Sequence, residues 1–127
     1  MSLFRSFFKK KEQRPIPAIP SWDEIVEHMQ GKELSGFADT VVKVLVSCDR
    51  AKRILILKSE AGFYKVLYEA ISVYEEEEWR YVCWEPDRYP AFWEAAESSI
   101  NTISVYPSEE DALKEVKISP EYKAYFV

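Results

Sequence analysis

Glycine, histidine and cysteine are scarce in this 127-residue chain, which holds three, one and two of them. Each shortage excludes something. Three isolated glycines cannot form a GxGxxG or Walker A phosphate loop. A single imidazole, His28, leaves Ser/His/Asp and Cys/His catalysis with one general base, and His28 with Glu24 and Glu27 supplies too few ligands for zinc. No metal or other cofactor is expected. Cys48 and Cys83 form neither a CxxC pair nor a Cys/His cluster, and each lies in an apolar, strand-like segment, so they read as buried free thiols in a reducing compartment. Apolar runs are interrupted at Lys43, Lys58 and Lys65, well short of the roughly 20 residues that span a bilayer. At the N-terminus apolar residues precede the lysines, the reverse of a secretory signal, and the expected location is the cytoplasm.

Apolar residues make up 47% of the chain and aromatics 15%, enough for a core that needs no staple. Residues 1–20 read as a basic, Phe-bearing arm followed by a Pro-rich linker, and residues 21–127 as a single α+β domain. The formal charge of −5 is unevenly spread: residues 1–14 carry a net +4, residues 15–68 are balanced, and residues 69–127 carry a net −9. An acidic half of this kind repels phosphate backbones, so nucleic acid is not an expected partner.

Ser21 with Glu24 is a helix-start signal, and Trp22, Ile25, Val26 and Met29 follow at helical spacing up to Gly31. From Thr40 the period becomes two, placing Val42, Val44, Val46 and Cys48 on one face. Turns at 49–52 and 59–62 divide Arg53–Lys58 from its neighbours and lead into Phe63–Tyr74. Adjacent like charges at Glu75–Glu78 suit a turn better than a ladder, and they precede an expected fourth strand, Trp79–Trp84. The segment Tyr89–Glu97 suits a fifth strand paired to the fourth, with a short helix opened by Pro90 as the alternative. Asn101–Tyr106 reads as a last strand. Ser108 with Asp111, and Ser119-Pro120, open two further helical segments.

The expected fold is an antiparallel meander of four to six strands, with helices at 21–30 and 108–117 packed on it. Its core face should hold Val42, Val44, Val46, Ile54, Ile56, Val66, Tyr68, Tyr81 and Cys83. Because strands such as Val41–Ser47 and Arg53–Lys58 are apolar on both sides, the second face must also be partly covered, by helix, arm or another subunit, and a homodimer is one way to do so.

The densest aromatic group is Trp79, Tyr81, Trp84, Tyr89, Phe92 and Trp93, bordered by Glu75, Glu76, Glu77, Glu78, Glu85 and Asp87. Rings framed by carboxylates suit docking of a basic protein, with Trp84 and Trp93 as anchors. The same rings could line a small-ligand pocket or an unrecognised active site. Of the acids near aromatics, Glu69, Glu85 and Glu94 are expected on solvated edges. The arm residues Phe4, Phe7, Phe8, Lys9, Lys10 and Lys11 have the composition of a membrane-surface helix, yet are too few to anchor stably.

The C-terminal stretch from Ile103 to Val116 (Ile-Ser-Val-Tyr-Pro-Ser-Glu-Glu-Asp-Ala-Leu-Lys-Glu-Val), with Ser119 to Phe126 (Ser-Pro-Glu-Tyr-Lys-Ala-Tyr-Phe), resembles small bacterial cytosolic proteins of toxin-immunity type. That resemblance covers the final third of the chain and transfers no individual residue. It implies a protein-binding role. The reading is therefore a non-enzymatic protein-binding module, an immunity-type inhibitor in its sharpest form, with a ligand binder or enzyme and a peripheral membrane protein as the alternatives.

Overall fold

Ser21 stands at the N-cap of α1 (Trp22–Met29), its hydroxyl accepting the Glu24 N–H at 3.3 Å, and Ile25, Val26 and Met29 form the buried stripe. Gly31 follows the helix at φ 72°, a left-handed conformation that glycine adopts without steric cost. In this computed structural model residues 15–98 and 104–127 are described. The chain divides into two compact units, one of residues 15–20 with Tyr74–Pro90, the other of Ser21–Val73 with Ala91–Val127.

The larger unit is built on an antiparallel sheet in the order β1 (Thr40–Val46), β2 (Lys52–Lys58), β3 (Tyr64–Val73), β4 (Ala91–Ala95). This is the expected meander, with helices before and after it packed on the sheet. Among the described residues it has four strands. Directly opposed residues of antiparallel strands share a face, so the register puts Leu45, Ile54 and Tyr68 in one row, and Lys43, Ile56 and Val66 in the next. On this face lie α3 (Glu109–Ile118) and α4 (Pro120–Tyr125). Ala112 and Val116 of α3 complete a core with Ile54, Ile56, Val66 and Tyr68, bordered by Leu113, Tyr122 and Phe126. Ser108 and Ser119 cap the two helices through their hydroxyls, which accept the N–H groups of Asp111 and Tyr122.

The opposite face carries Arg53, Glu69, Ile71 and Trp93, and here the covering element is the end of α1 with the loop that follows it. The Trp93 indole donates to the Met29 carbonyl at 2.8 Å, and the Arg53 guanidinium donates to the carbonyls of Lys32 and Glu33 at 2.6 and 2.8 Å. The second face is thus partly covered from within the chain by a helix.

Several expectations on the core need correction. Val42, Val44 and Val46 are 39%, 36% and 45% exposed, whereas the intervening Val41, Lys43 and Leu45 are half-buried. Alternation separates the two sides of a strand without saying which one a helix will cover, and β1 lies at the sheet edge. The expected strand Trp79–Trp84 is instead the helix α2 (Glu76–Val82), so Tyr81 is 82% exposed and Cys83 only half-buried. Cys48 is exposed as well, and both thiols are free.

The segment 89–97 does contain a strand, but β4 pairs with β3, Ile71 facing Trp93. Of the expected last strand, residues 101–103 lie outside the described residues, and Tyr106 makes an isolated bridge to Tyr64. The arm 1–14, with Phe4, Phe7, Phe8 and Lys9 to Lys11, also lies outside them.

The β1–β2 turn is organised around Asp49. One carboxylate oxygen accepts from the Ser47 hydroxyl at 2.6 Å and from the Ala51 N–H at 3.0 Å, and the other pairs with the Lys52 ammonium at 3.2 Å. The Ser47 bond, aided by Ala51 and Lys52, holds the Asp49 carboxyl below its ordinary value despite the opposing effect of partial burial. A depressed carboxyl pKa contributes stability above the ordinary carboxylate range near 4, and loses it as pH falls through the folded-state value. Asp49→Asn should therefore unfold with a shallower loss of stability between about pH 5 and pH 3 than the parent chain. Urea titrations at a series of pH values measure this, and parallel profiles would refute it.

Candidate functional site

Two concentrations of charge stand out, and their chemistry differs. The first is internal. Arg53 and Glu69 are 2% and 5% exposed and joined at 2.8 Å, and the guanidinium lies 4.3 Å from the Trp93 ring centre. Glu69 is therefore not on the solvated edge expected for it. Nε of Arg53 donates to Glu69, Nη1 to Lys32 O and Nη2 to Glu33 O, so each guanidinium nitrogen has a partner. Glu33 adopts φ 55°, and its carboxylate accepts the Trp93 N–H at 3.3 and 3.4 Å. At 2% exposure, with a partner on every guanidinium nitrogen and an aromatic ring beside it, this cation is closed to a substrate. This network fastens the loop after α1 to the sheet.

The second concentration belongs to the smaller unit, in the excursion between β3 and β4. Residues 74–90 contain six acids against Arg80 and Arg88. The acids Glu76, Glu77 and Glu78 fill the first turn of α2, where the positive end of the helix dipole favours them. Successive helical residues diverge by about 100° around the axis, so a run of glutamates that would repel along a strand is accommodated on a helix. Arg80 pairs with Glu76 one turn away at 3.5 Å. Trp79 is the buried anchor of this helix, 3% exposed, its indole donating to Pro17 O at 2.7 Å and its ring stacked on Tyr74.

With Trp79 directed inward, Tyr81 falls on the solvent side, four residues after Glu77 and three after Glu78. At 82% exposure it is the outermost ring described in this unit. Trp84, three residues further, is half-buried, and Glu85 and Asp87 follow as exposed acids. Glu85 pairs with Arg88, whose guanidinium also donates to the Tyr74 hydroxyl at 3.2 Å. Glu77, Glu78 and Asp87 are exposed, and among the described residues they make no ion pair.

The expected docking residues thus divide. Glu75, Glu76, Glu77, Glu78, Trp84, Glu85 and Asp87 belong to the smaller unit and are exposed or half-exposed. Trp93 belongs to the larger unit and is 6% exposed beneath Arg53, which rules out a surface anchor there. Tyr81, assigned to the core by strand alternation, is the ring that reaches solvent. The signal that could have found it is the helical spacing of Trp79, Val82 and Cys83 with the Glu76–Arg80 pair. His28 is exposed on α1, and among the described residues no group of three His, Cys, Asp or Glu side chains could hold a metal ion. Among the described residues, no helix is long and apolar enough to cross a membrane. No protein-family model matches the chain, and no curated protein or solved structure matches it.

Proposed function

We propose that the chain is a non-enzymatic protein-binding module acting in the cytoplasm, which meets a basic partner through the acidic excursion at 74–90. The observation that carries this reading is the exposed Tyr81 ring on a helix face with the exposed Glu77 and Glu78, flanked by Trp84, Glu85 and Asp87. A solvent-facing aromatic ring buries substantial area at low entropic cost, and carboxylates around it steer a cationic surface toward it. The sharpest form of the proposal is an immunity-type inhibitor, whose partner would be a basic toxin.

The test is capture of partners from extract on the immobilised full chain, followed by titration of each purified partner. Affinity should fall at least about tenfold between 50 and 500 mM salt, through a slower association rate. Tyr81→Ala should cost about 2 kcal/mol of binding, and reversing Glu77 and Glu78 to lysine should abolish it, with little effect on folding at these exposed sites. Salt-independent binding, or binding indifferent to these changes, refutes the proposal.

A further inference from the structure

The two edges of the sheet are treated differently. At the β4 edge the outward-pointing Trp93 N–H is occupied by the Glu33 carboxylate, held there by a left-handed residue and the Arg53 network. At the β1 edge no such cover is present among the described residues. Ser47 N–H donates to Lys52 O, and Leu45 and Lys43 lie in the same register opposite Ile54 and Ile56, so beyond the bulge Lys43 and Leu45 bond to β2. The backbone N–H and C=O groups of Val44 and Val46 therefore point away from the sheet, and among the described residues nothing receives them. Val42, Val44 and Val46 stand beside this edge with 39%, 36% and 45% of their surface exposed.

We infer that the β1 edge pairs with β1 of a second copy of this chain, antiparallel about a two-fold axis at Val44. The inference is independent of the partner reading above. A two-fold axis perpendicular to the sheet keeps faces together, so it can pair only residues of the same face. Centred on Val44, it opposes Val44 to its own equivalent, and Val42 to Val46 of the second copy. The result is one continuous valine row across the seam. On the other face Lys43 meets Leu45, where the lysine stem packs and no like charges are opposed. Centred on Lys43, the same operation would put two ammonium groups face to face. Centred on Leu45, it would pair Val44 with Val46 of the second copy but set Val42 against Cys48, whose N–H already donates to the Tyr125 carbonyl at 2.9 Å, so that seam ends sooner. Of these three registers the one centred on Val44 gives the longest seam without opposed like charges.

A bulge and a lysine ordinarily blunt an edge, and β1 has both. Here the bulge lies between Val41 and Lys43, so it ends the seam at Val42 and leaves Val44 and Val46 regular, and the Lys43 side chain is half-buried on the face under α3 and α4. A seam of a few residue pairs is small beside a standard interface, so association should be weak, with the full chain passing from monomer to dimer between about 10 µM and about 1 mM.

Sedimentation and residue-resolved amide exchange test this on the full chain. Dimer should form across that range, with exchange at Val44 and Val46 slowing about tenfold where nine-tenths of the chain is dimeric, and exchange at Leu45 little changed. Val44→Lys should keep the parent melting temperature and stay monomeric. Val46→Lys should weaken the dimer, and adding Val42→Glu should restore it, since the new charges face each other only in this register. A monomer at about 1 mM overturns the inference, as does a Val44→Lys dimer or a Val42→Glu/Val46→Lys pair no better than Val46→Lys alone. Protection of Val44 and Val46 only upon addition of a different protein would assign the edge to a foreign strand and equally overturn self-pairing.

Discussion

Replacing Arg53 by methionine should destabilise the larger unit by about 3–5 kcal/mol, the largest loss expected from any single side chain here. The Glu69 carboxylate would remain buried with its cation gone, and the carbonyls of Lys32 and Glu33 would lose their donors at the same stroke. A buried pair and a missing half of that pair are very different things. Two charges taken out of water together gain in mutual attraction much of what desolvation costs, whereas one left alone gains nothing. Arg53→Met with Glu69→Leu should therefore recover most of the loss, leaving a deficit of about 1–2 kcal/mol for the two unpartnered carbonyls. Urea unfolding of the parent, both single variants and the double variant forms the cycle. A single Arg53→Met loss below about 1 kcal/mol would mean that the network does not hold the loop after α1.

Ile54→Ala carries the second largest expected effect, about 2–5 kcal/mol. Ile54 is fully buried in a central strand, between Leu45 and Tyr68 in register and under Ala112 and Val116 of α3. Strand neighbours on both sides and a helix above leave little room for collapse, so a cavity would persist. Val44→Ala is the informative control. It removes apolar volume one strand away, from an edge position already 36% exposed, and should cost less than about 1 kcal/mol in the monomer. Equal losses at the two positions would contradict the assignment of faces to β1.

Much of the fold is legible in local chemistry. The capping serines Ser21, Ser108 and Ser119, the turn at Asp49, and Gly62 at φ 89° mark element boundaries wherever a side chain or a backbone conformation must satisfy its own neighbours. The central strands were equally legible, because β2 is apolar at Ile54, Leu55, Ile56 and Leu57 without interruption and is buried on both faces. The excursion at 74–90 is less legible, for an identifiable reason. Aromatic residues favour strands in general, but Trp79, Val82 and Cys83 are also spaced for one side of a helix, and a seven-residue segment supports either period. That one ambiguity moved Tyr81 from the surface to the core in the sequence reading, and with it the position of the candidate docking ring.

The amino-acid sequence by itself determined the meander, the starts of α1, α3 and α4, the acidic balance of the second half and the need for cover on both faces of the sheet, because these follow from neighbours a few residues apart. Only the tertiary structure decided which face of β1 lies under α3 and α4, that Arg53 and Glu69 meet inside, and that Trp93 is buried. Those outcomes depend on groups tens of residues apart arriving at the same place, and neither periodicity nor charge along the chain specifies which of several compatible arrivals occurs.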